Sequence, residues 1–243
     1  MIEEKPWRIE TVACLFAGIM AALCFAQLFG IALDSEKLKM TAENREFAKL
    51  ALGSTFLDGA ILACIGLFLR ENRISWCAAF GLEKARQPRA VALGILAAVL
   101  FIPLEMAWMY SAQIVLEHPV AQPLVQALQR TDLRLVEKAM MGALAVFIAP
   151  LAEEMIFRGI LYPTIKQAGY PGTALWLTSL IFGAIHANLI AFVPLTVFSL
   201  LLIWIYEKTG SLWASITAHS LFNFTSFAVL MFPASLAPAA PLR

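Results

Sequence analysis

Long apolar runs separated by short charged segments make up most of this chain. A helix needs ~20 apolar residues to cross a membrane, and runs of that length recur along the sequence. The pattern predicts an all-α fold, a polytopic bundle of about seven membrane helices around a polar intramembrane cavity. The predicted helices cover residues 11–33, 47–69, 90–116, 136–163, 173–186, 189–206 and 212–232.

The connections between these runs carry weaker signals. Residues 76–82 are apolar and begin with a tryptophan, which predicts a segment lying in the membrane interface. Leucines spaced through residues 119–134 predict a surface helix on the bilayer. Residues 233–243 are rich in proline and alanine and are predicted to be a disordered tail. We therefore expect one membrane domain over residues 1–243.

Composition supports a membrane protein. The chain is 60% hydrophobic and 14% charged, with mean hydropathy +0.77, values typical of integral membrane proteins. A net charge of +1 argues against a nucleic-acid partner, and the four cysteines form no CxxC motif. Lysine and arginine cluster in loop 70–89, which predicts that this loop and the N-terminus are cytoplasmic. Asp58 and Glu105 lie in predicted helices and are interpreted as buried polar groups of the bundle.

Two adjacent glutamates stand out inside the fourth apolar run. Ionisable groups at membrane depth are costly and are usually retained for function. Glu154 and Arg158 are four residues apart, so a helix places them on one face, where they can pair. Glu153 points about 100° away and stays available for another role. Pro150 removes one helical hydrogen bond and is predicted to kink the helix just before the glutamates.

Two of the three histidines also lie in predicted membrane helices. His186 ends the fifth predicted helix, and His219 lies in the seventh, whereas His118 lies in a polar loop and is expected to be solvated. Asn223 follows His219 by four residues and shares its helical face. A bundle buries such groups by turning them toward one another, so we expect these side chains and the glutamates to converge.

This set of groups can hydrolyse an amide without a covalent intermediate. A carboxylate beside a neutral imidazole can hold and deprotonate a water. A second imidazole and an amide can donate hydrogen bonds to the developing oxyanion. Neither GxSxG nor HExxH occurs in the chain. Alternatively, Glu153, His186 and His219 could bind a divalent metal with a position left open for water, and the residues alone do not separate the two versions.

Three motifs, in this order and spacing, resemble the signature of the CPBP family, which comprises CAAX prenyl endopeptidases and bacterial bacteriocin-processing and immunity (Abi) proteins. The motifs are Glu153-Glu154-x-x-x-Arg158, Phe182-x-x-x-His186 and His219-x-x-x-Asn223. They define a motif-bearing core over residues 139–226. The resemblance implies an intramembrane protease with its site in a cavity inside the bundle.

The resemblance also implies a role for each residue. Glu153 is implied as the general base, and His186 as the residue that positions the attacking water. His219 and Asn223 are implied to stabilise the oxyanion. Glu154 with Arg158 is implied as a structural or tuning pair.

Cofactor, partners and location follow as expectations. The family is commonly named as metalloproteases, while a metal-free glutamate mechanism is also proposed for it, so we expect either no cofactor or one divalent metal, zinc being favoured. The expected partners are the lipid bilayer and a peptide or protein substrate, with or without lipidation, and the expected location is a bacterial inner membrane. Two alternatives remain: a non-catalytic immunity or scaffold protein of the same fold, and a small transporter or proton relay.

Overall fold

The computed structural model describes residues 4–33, 41–83, 87–115 and 133–231. These residues form helices and no strand, so the predicted all-α fold is confirmed. In chain order the helices are α1 (Ile9–Leu33), α2 (Ala42–Glu71), α3 (Trp76–Phe80), α4 (Gln87–Val115), α5 (Leu135–Gln167), α6 (Pro171–Ala184), α7 (Leu189–Thr209) and α8 (Leu212–Met231).

Five of the described helices are long and apolar enough to cross a membrane: α1, residues Phe47–Glu71 of α2, α4, α5 and α7. Helix α6 has 14 residues, about 21 Å at 1.5 Å per residue, which is shorter than the ~30 Å hydrocarbon core of a bilayer. Helix α8 has 20 residues, but serine, threonine, histidine and asparagine interrupt its apolar character. The prediction of about seven membrane helices is therefore approximate.

The last five helices pack into one bundle around α5. Helix α4 lies along α8 and α7, and α6 packs against α7. Helix α1 pairs with α2, which in turn contacts the middle of α5. Three aromatic rings join α4, α7 and α8, with Phe101 stacked 4.8 Å from Phe198 and Phe222 at 4.6 Å from Phe198. The polar residues of α5 are thus surrounded by apolar helices.

Helix α5 departs from α-helical geometry on both sides of the glutamates. Residues Leu144–Ile148 and Met155–Leu161 are π-helical, and Ala149–Glu154 between them is α-helical. Such stretches occur frequently at functional sites. The first stretch comes directly before Pro150, where we predicted a kink.

A close approach of α3 to α5 depends on a glycine. A Cβ atom on Gly159 would lie 2.6 Å from Cε1 of Phe80, which is completely buried. Residues 76–82 were predicted to lie in the interface. The structure shows that Phe80 is turned into the bundle, whereas Trp76 is 40% exposed.

The end of α6 corrects the prediction for residues 173–186. The helix stops at Ala184, so His186 lies in the turn that follows. Ala187 has a positive φ of 48°, and the Asn188 side chain accepts hydrogen bonds from the N–H groups of Ile190 and Ala191. This is an N-cap of α7, and it leaves no room for α6 to continue.

Some predictions fall on residues that the structure does not describe. They are the tail 233–243, His118, and residues 119–132 of the proposed surface helix. These remain predictions.

Candidate active site

The Glu154–Arg158 pair predicted from the spacing is present. Arg158 Nη1 donates to Glu154 Oε1 over 2.9 Å, and both side chains are fully buried. Arg158 Nη2 also donates to Ser199 Oγ on α7 over 2.8 Å. The guanidinium carbon lies 4.4 Å from the ring centroid of Phe182 on α6. Arg158 therefore connects three helices, and its charge is met by a carboxylate and by the face of an aromatic ring.

His219 extends this network to α8 in a way the sequence did not predict. Its Nδ1 lies 2.8 Å from Glu154 Oε1. Because an ionised carboxylate only accepts hydrogen bonds, Nδ1 carries the hydrogen. In the neutral ring Nε2 is then the unprotonated nitrogen, and it lies 3.9 Å from Glu153 Oε2. The two adjacent glutamates thus face the two nitrogens of one imidazole.

Aromatic rings hold the His219 imidazole in place. Its ring meets the ring of Phe182 edge-on at 5.6 Å between centroids and that of Phe198 at 5.7 Å. The residue is 3% exposed. With Nδ1 bonded to Glu154 and two rings against its sides, the imidazole has little freedom to turn.

Glu153 keeps an uncommitted oxygen at this site. Its side chain is 25% exposed, but Oε2 is buried and has no hydrogen-bond partner among the described residues. The 3.9 Å to His219 is too long for a hydrogen bond. A buried carboxylate oxygen is normally satisfied. Glu154 Oε2 and Arg158 Nε are also buried without a partner among the described residues, but Glu154 is hydrogen-bonded through Oε1, whereas Glu153 makes no hydrogen bond there.

Asp58 adds a third carboxylate near the glutamates. It is 8% exposed on the face of α2 that also buries Ile61 and Ile65, and α2 contacts residues 149–154 of α5. Glu153 is its electrostatic neighbour. Asp58 was interpreted from sequence as a group that caps or pairs inside the bundle, with a catalytic role as the lesser alternative, and the structure brings its charge within electrostatic reach of Glu153.

His186 is held beside the network through Phe182. Its Nδ1 donates to the carbonyl of Phe182 over 2.8 Å, one turn back along the chain, which satisfies one of the last carbonyls of α6. The same argument as for His219 leaves Nε2 free in the neutral ring. The rings of His186 and Phe182 are 5.1 Å apart between centroids, so both predicted histidines lie against Phe182.

Asn223, like His219, bonds from α8 to α5, but at Ala145 instead of Glu154. Its Nδ2 donates to the carbonyl of Ala145 over 2.7 Å. Ala145 lies in the first π-helical stretch of α5. One of the two amide hydrogens of Asn223 is therefore committed to the backbone, and the other remains for a further acceptor.

The side chains at this site do not form a metal cage. Within residues 4–33, 41–83, 87–115 and 133–231, no three histidine, cysteine, aspartate or glutamate side chains are placed to hold one ion. Glu153, His186 and His219, proposed from sequence as ligands, do not meet as a group of three. As placed in this structure, the donor set does not hold an ion; the metal-dependent version stays a prediction, and we derive no chemical step through a metal.

Residues of the network that carry no motif were missed by sequence reasoning. Ser199 lies in an apolar helix and looks like any small buried residue. Phe182 was part of a motif, but its contacts with Arg158 and both histidines could not be read from spacing. A buried hydroxyl facing an arginine appears only once the helices are packed.

Comparison with known proteins agrees with the motif-bearing part of the chain. Residues 135–225 match the family model described as "Type II CAAX prenyl endopeptidase Rce1-like". This Rce1-like segment contains the whole network on α5 to α8. The resemblance to CAAX endopeptidases is thereby confirmed for this segment.

Two curated proteins of Bacillus subtilis (strain 168) are similar to parts of the chain. "Uncharacterized protein YpbD" is 40% identical over 76 residues, 30% of this chain and 36% of that protein. "Putative membrane peptidase YdiL" is 27% identical over 110 residues, 45% of this chain and 41% of that protein. The chain thus spans less than half the length of the curated relatives it matches. No solved structure matches the chain.

Proposed function

We propose that this protein is an intramembrane endopeptidase of CAAX type that hydrolyses a peptide bond with an activated water. Two findings support the proposal: the Rce1-like match over residues 135–225 and the buried network that surrounds Glu153.

The observation that carries the proposal is the relation of Glu153 to His219. Glu153 Oε2 and His219 Nε2 are 3.9 Å apart, and the oxygen has no partner among the described residues. A water that contacts Glu153 Oε2 can give its proton to the carboxylate while its oxygen attacks the carbonyl carbon. The proton on Glu153 then passes to the leaving nitrogen as the C–N bond breaks.

The oxyanion of the tetrahedral intermediate needs donors that are already in place. Asn223 has one amide hydrogen left after its bond to Ala145. His219 donates from Nε2 only when its ring carries a hydrogen on both nitrogens, a form that Glu154 accepts at Nδ1. We assign oxyanion stabilisation to these two residues and positioning of the water to His186. Glu154 and Arg158 hold the His219 ring and are not in contact with the reacting atoms.

Substrate, location and orientation form part of the same proposal. The substrate is a peptide or protein segment that reaches the bundle from the bilayer, with or without a lipid attached. We place the protein in a bacterial inner membrane with the N-terminus in the cytoplasm, on the basis of the basic loop 70–89.

The test compares peptide ends in membrane proteomes of cells that carry the wild type, Glu153→Gln or Glu105→Gln. Glu105 is the matched control, because it is another partly buried carboxylate in a membrane helix, on α4, and forms no part of the network. We expect peptide ends that vanish with Glu153→Gln and persist with Glu105→Gln. Identical sets of ends in all three strains would contradict the proposal and favour a non-catalytic scaffold.

A further inference from the structure

The backbone hydrogen bonds of α5 are interrupted shortly before the glutamates. In the π-helical stretch Leu144–Ile148, the N–H of Ala149 donates to the carbonyl of Leu144, five residues back. The next nitrogen in that register belongs to Pro150, which carries no hydrogen. The acceptor of that missing bond is the carbonyl of Ala145, which therefore has no donor from the π-helical register.

Asn223 of α8 fills this gap. Its Nδ2 lies 2.7 Å from the Ala145 oxygen, across 78 residues of sequence. A backbone carbonyl inside the bilayer cannot accept a hydrogen bond from water, so leaving it without a protein donor destabilises the fold. Pro150 removes one backbone hydrogen-bond donor from α5, and the Asn223 side chain of α8 donates to the carbonyl that this donor would have reached.

The bond also contributes to how α8 sits on α5. His219 and Asn223 are four residues apart on α8, and each bonds to α5, at Glu154 and at Ala145 respectively. Two separate polar anchors on one helix pair restrict both sliding and rotation of the helices. Glu153 lies between Ala145 and Glu154, the two residues of α5 that these bonds hold.

We propose that Asn223 is a positioning residue that supplies the hydrogen Pro150 lacks, and that this bond fixes the register in which Glu153 faces His219. The bond itself is independent of the protein's activity. Its consequence for Glu153 rests on the proposed function.

A double-variant cycle on the full chain in detergent micelles tests this coupling. Pro150→Ala restores a backbone N–H that can reach Ala145. We expect Asn223→Ala alone to lower the folding equilibrium constant about tenfold or more, the effect of a buried acceptor left unpaired. Asn223→Ala should cost much less stability in the Pro150→Ala background than in the wild-type chain, whatever Pro150→Ala contributes by itself.

The matched control is Pro103→Ala on α4, another helix of this bundle with an interior proline. It also adds a backbone N–H, but not one aimed at Ala145, so Asn223→Ala should cost as much stability with Pro103→Ala as without it. Equal losses from Asn223→Ala with and without Pro150→Ala would overturn the proposal.

Amide hydrogen exchange gives a second measurement that needs only one variant. Asn223→Ala should speed exchange in the peptide covering residues 144–154 about tenfold or more, while exchange in α6 stays unchanged. Unaltered exchange in residues 144–154 would overturn the proposal even if Pro150→Ala did not fold.

Activity separates this inference from the proposed function. If Asn223 also donates to the oxyanion, Pro150→Ala/Asn223→Ala should recover stability but not kcat, which should stay ~10²–10³-fold below that of the wild type. If kcat recovers together with stability, the positioning role stands and the oxyanion role of Asn223 fails.

Discussion

Glu154 and His219 are joined by a 2.8 Å contact between Oε1 and Nδ1, although 65 residues separate them in the chain. The same carboxylate oxygen accepts from Arg158. Glu154 is thus the junction between a buried cation on its own helix and an imidazole on α8. This arrangement leaves Glu153, its neighbour in sequence, without a hydrogen bond to either partner, with Oε2 3.9 Å from His219 Nε2.

Arg158 is predicted to be required for folding. Arg158→Ala removes the cation that offsets a fully buried carboxylate, and breaking such a pair costs about 3–5 kcal/mol. The variant should give much less folded protein and a lower Tm in detergent. Arg134→Ala is the control, because Arg134 pairs with Glu137 at the exposed start of α5 and its loss should leave Tm unchanged. Normal accumulation of folded Arg158→Ala would contradict this account.

A second prediction concerns the pair as a unit. Replacing both charges, Glu154→Gln with Arg158→Met, leaves no unpaired ion in the bundle, and such neutral exchanges are often tolerated. The double variant should therefore unfold at a higher temperature than Arg158→Met alone. Additive losses in Tm would show that the two charges do not depend on each other.

The charge of Asp58 is predicted to lower the stability of the folded protein. It is buried on α2 within electrostatic reach of Glu153, and two nearby carboxylates repel each other when both are ionised. Asp58→Asn should raise Tm relative to wild type, whereas Glu105→Gln on α4, a carboxylate with no charged neighbour among the described residues, should raise it less. A lower Tm for Asp58→Asn than for Glu105→Gln would count against a carboxylate neighbourhood at the site.

The contact between α3 and α5 gives a packing prediction. Gly159→Ala would press a methyl group against the ring of Phe80, and such overpacking costs about 1–3 kcal/mol. Gly159→Ala should lower Tm, and adding Phe80→Leu should recover part of the loss. Gly59→Ala, where a Cβ meets nothing within 4 Å, should be neutral or slightly stabilising. Equal Tm values for Gly159→Ala and Gly59→Ala would contradict the close approach.

The sequence predicted those features that depend on spacing within one helix. Glu154 with Arg158, and His219 with Asn223, share faces because four residues complete about one turn, and long apolar runs marked most helices. It did not predict the π-helical stretches of α5, because these depend on where tertiary partners such as Asn223 meet the backbone. The end of α6 before His186 was missed because Asn188 acts as a cap only in the folded turn.

The sequence indicated which polar residues would meet between helices, but not which atoms would bond. The cost of burying polar groups indicated that glutamates and histidines would meet, but not that His219 would bond to Glu154 rather than to Glu153. Asp58 has no spacing relationship to the motifs, since it lies on α2, and only packing brings it to the site. The fold class was thus predictable from local pattern, while the partner of each polar atom was not.

The most direct test of the central claim is the cleavage rate of Glu153→Gln on a peptide found in the proteome comparison. Glutamine keeps the shape of the side chain but cannot take a proton from water. The account predicts activity near background with Tm close to wild type, since a neutral amide is no more costly to bury than a carboxylate. It also predicts that a chelator leaves wild-type activity unchanged. Wild-type cleavage by folded Glu153→Gln would contradict the assignment of Glu153 as the base.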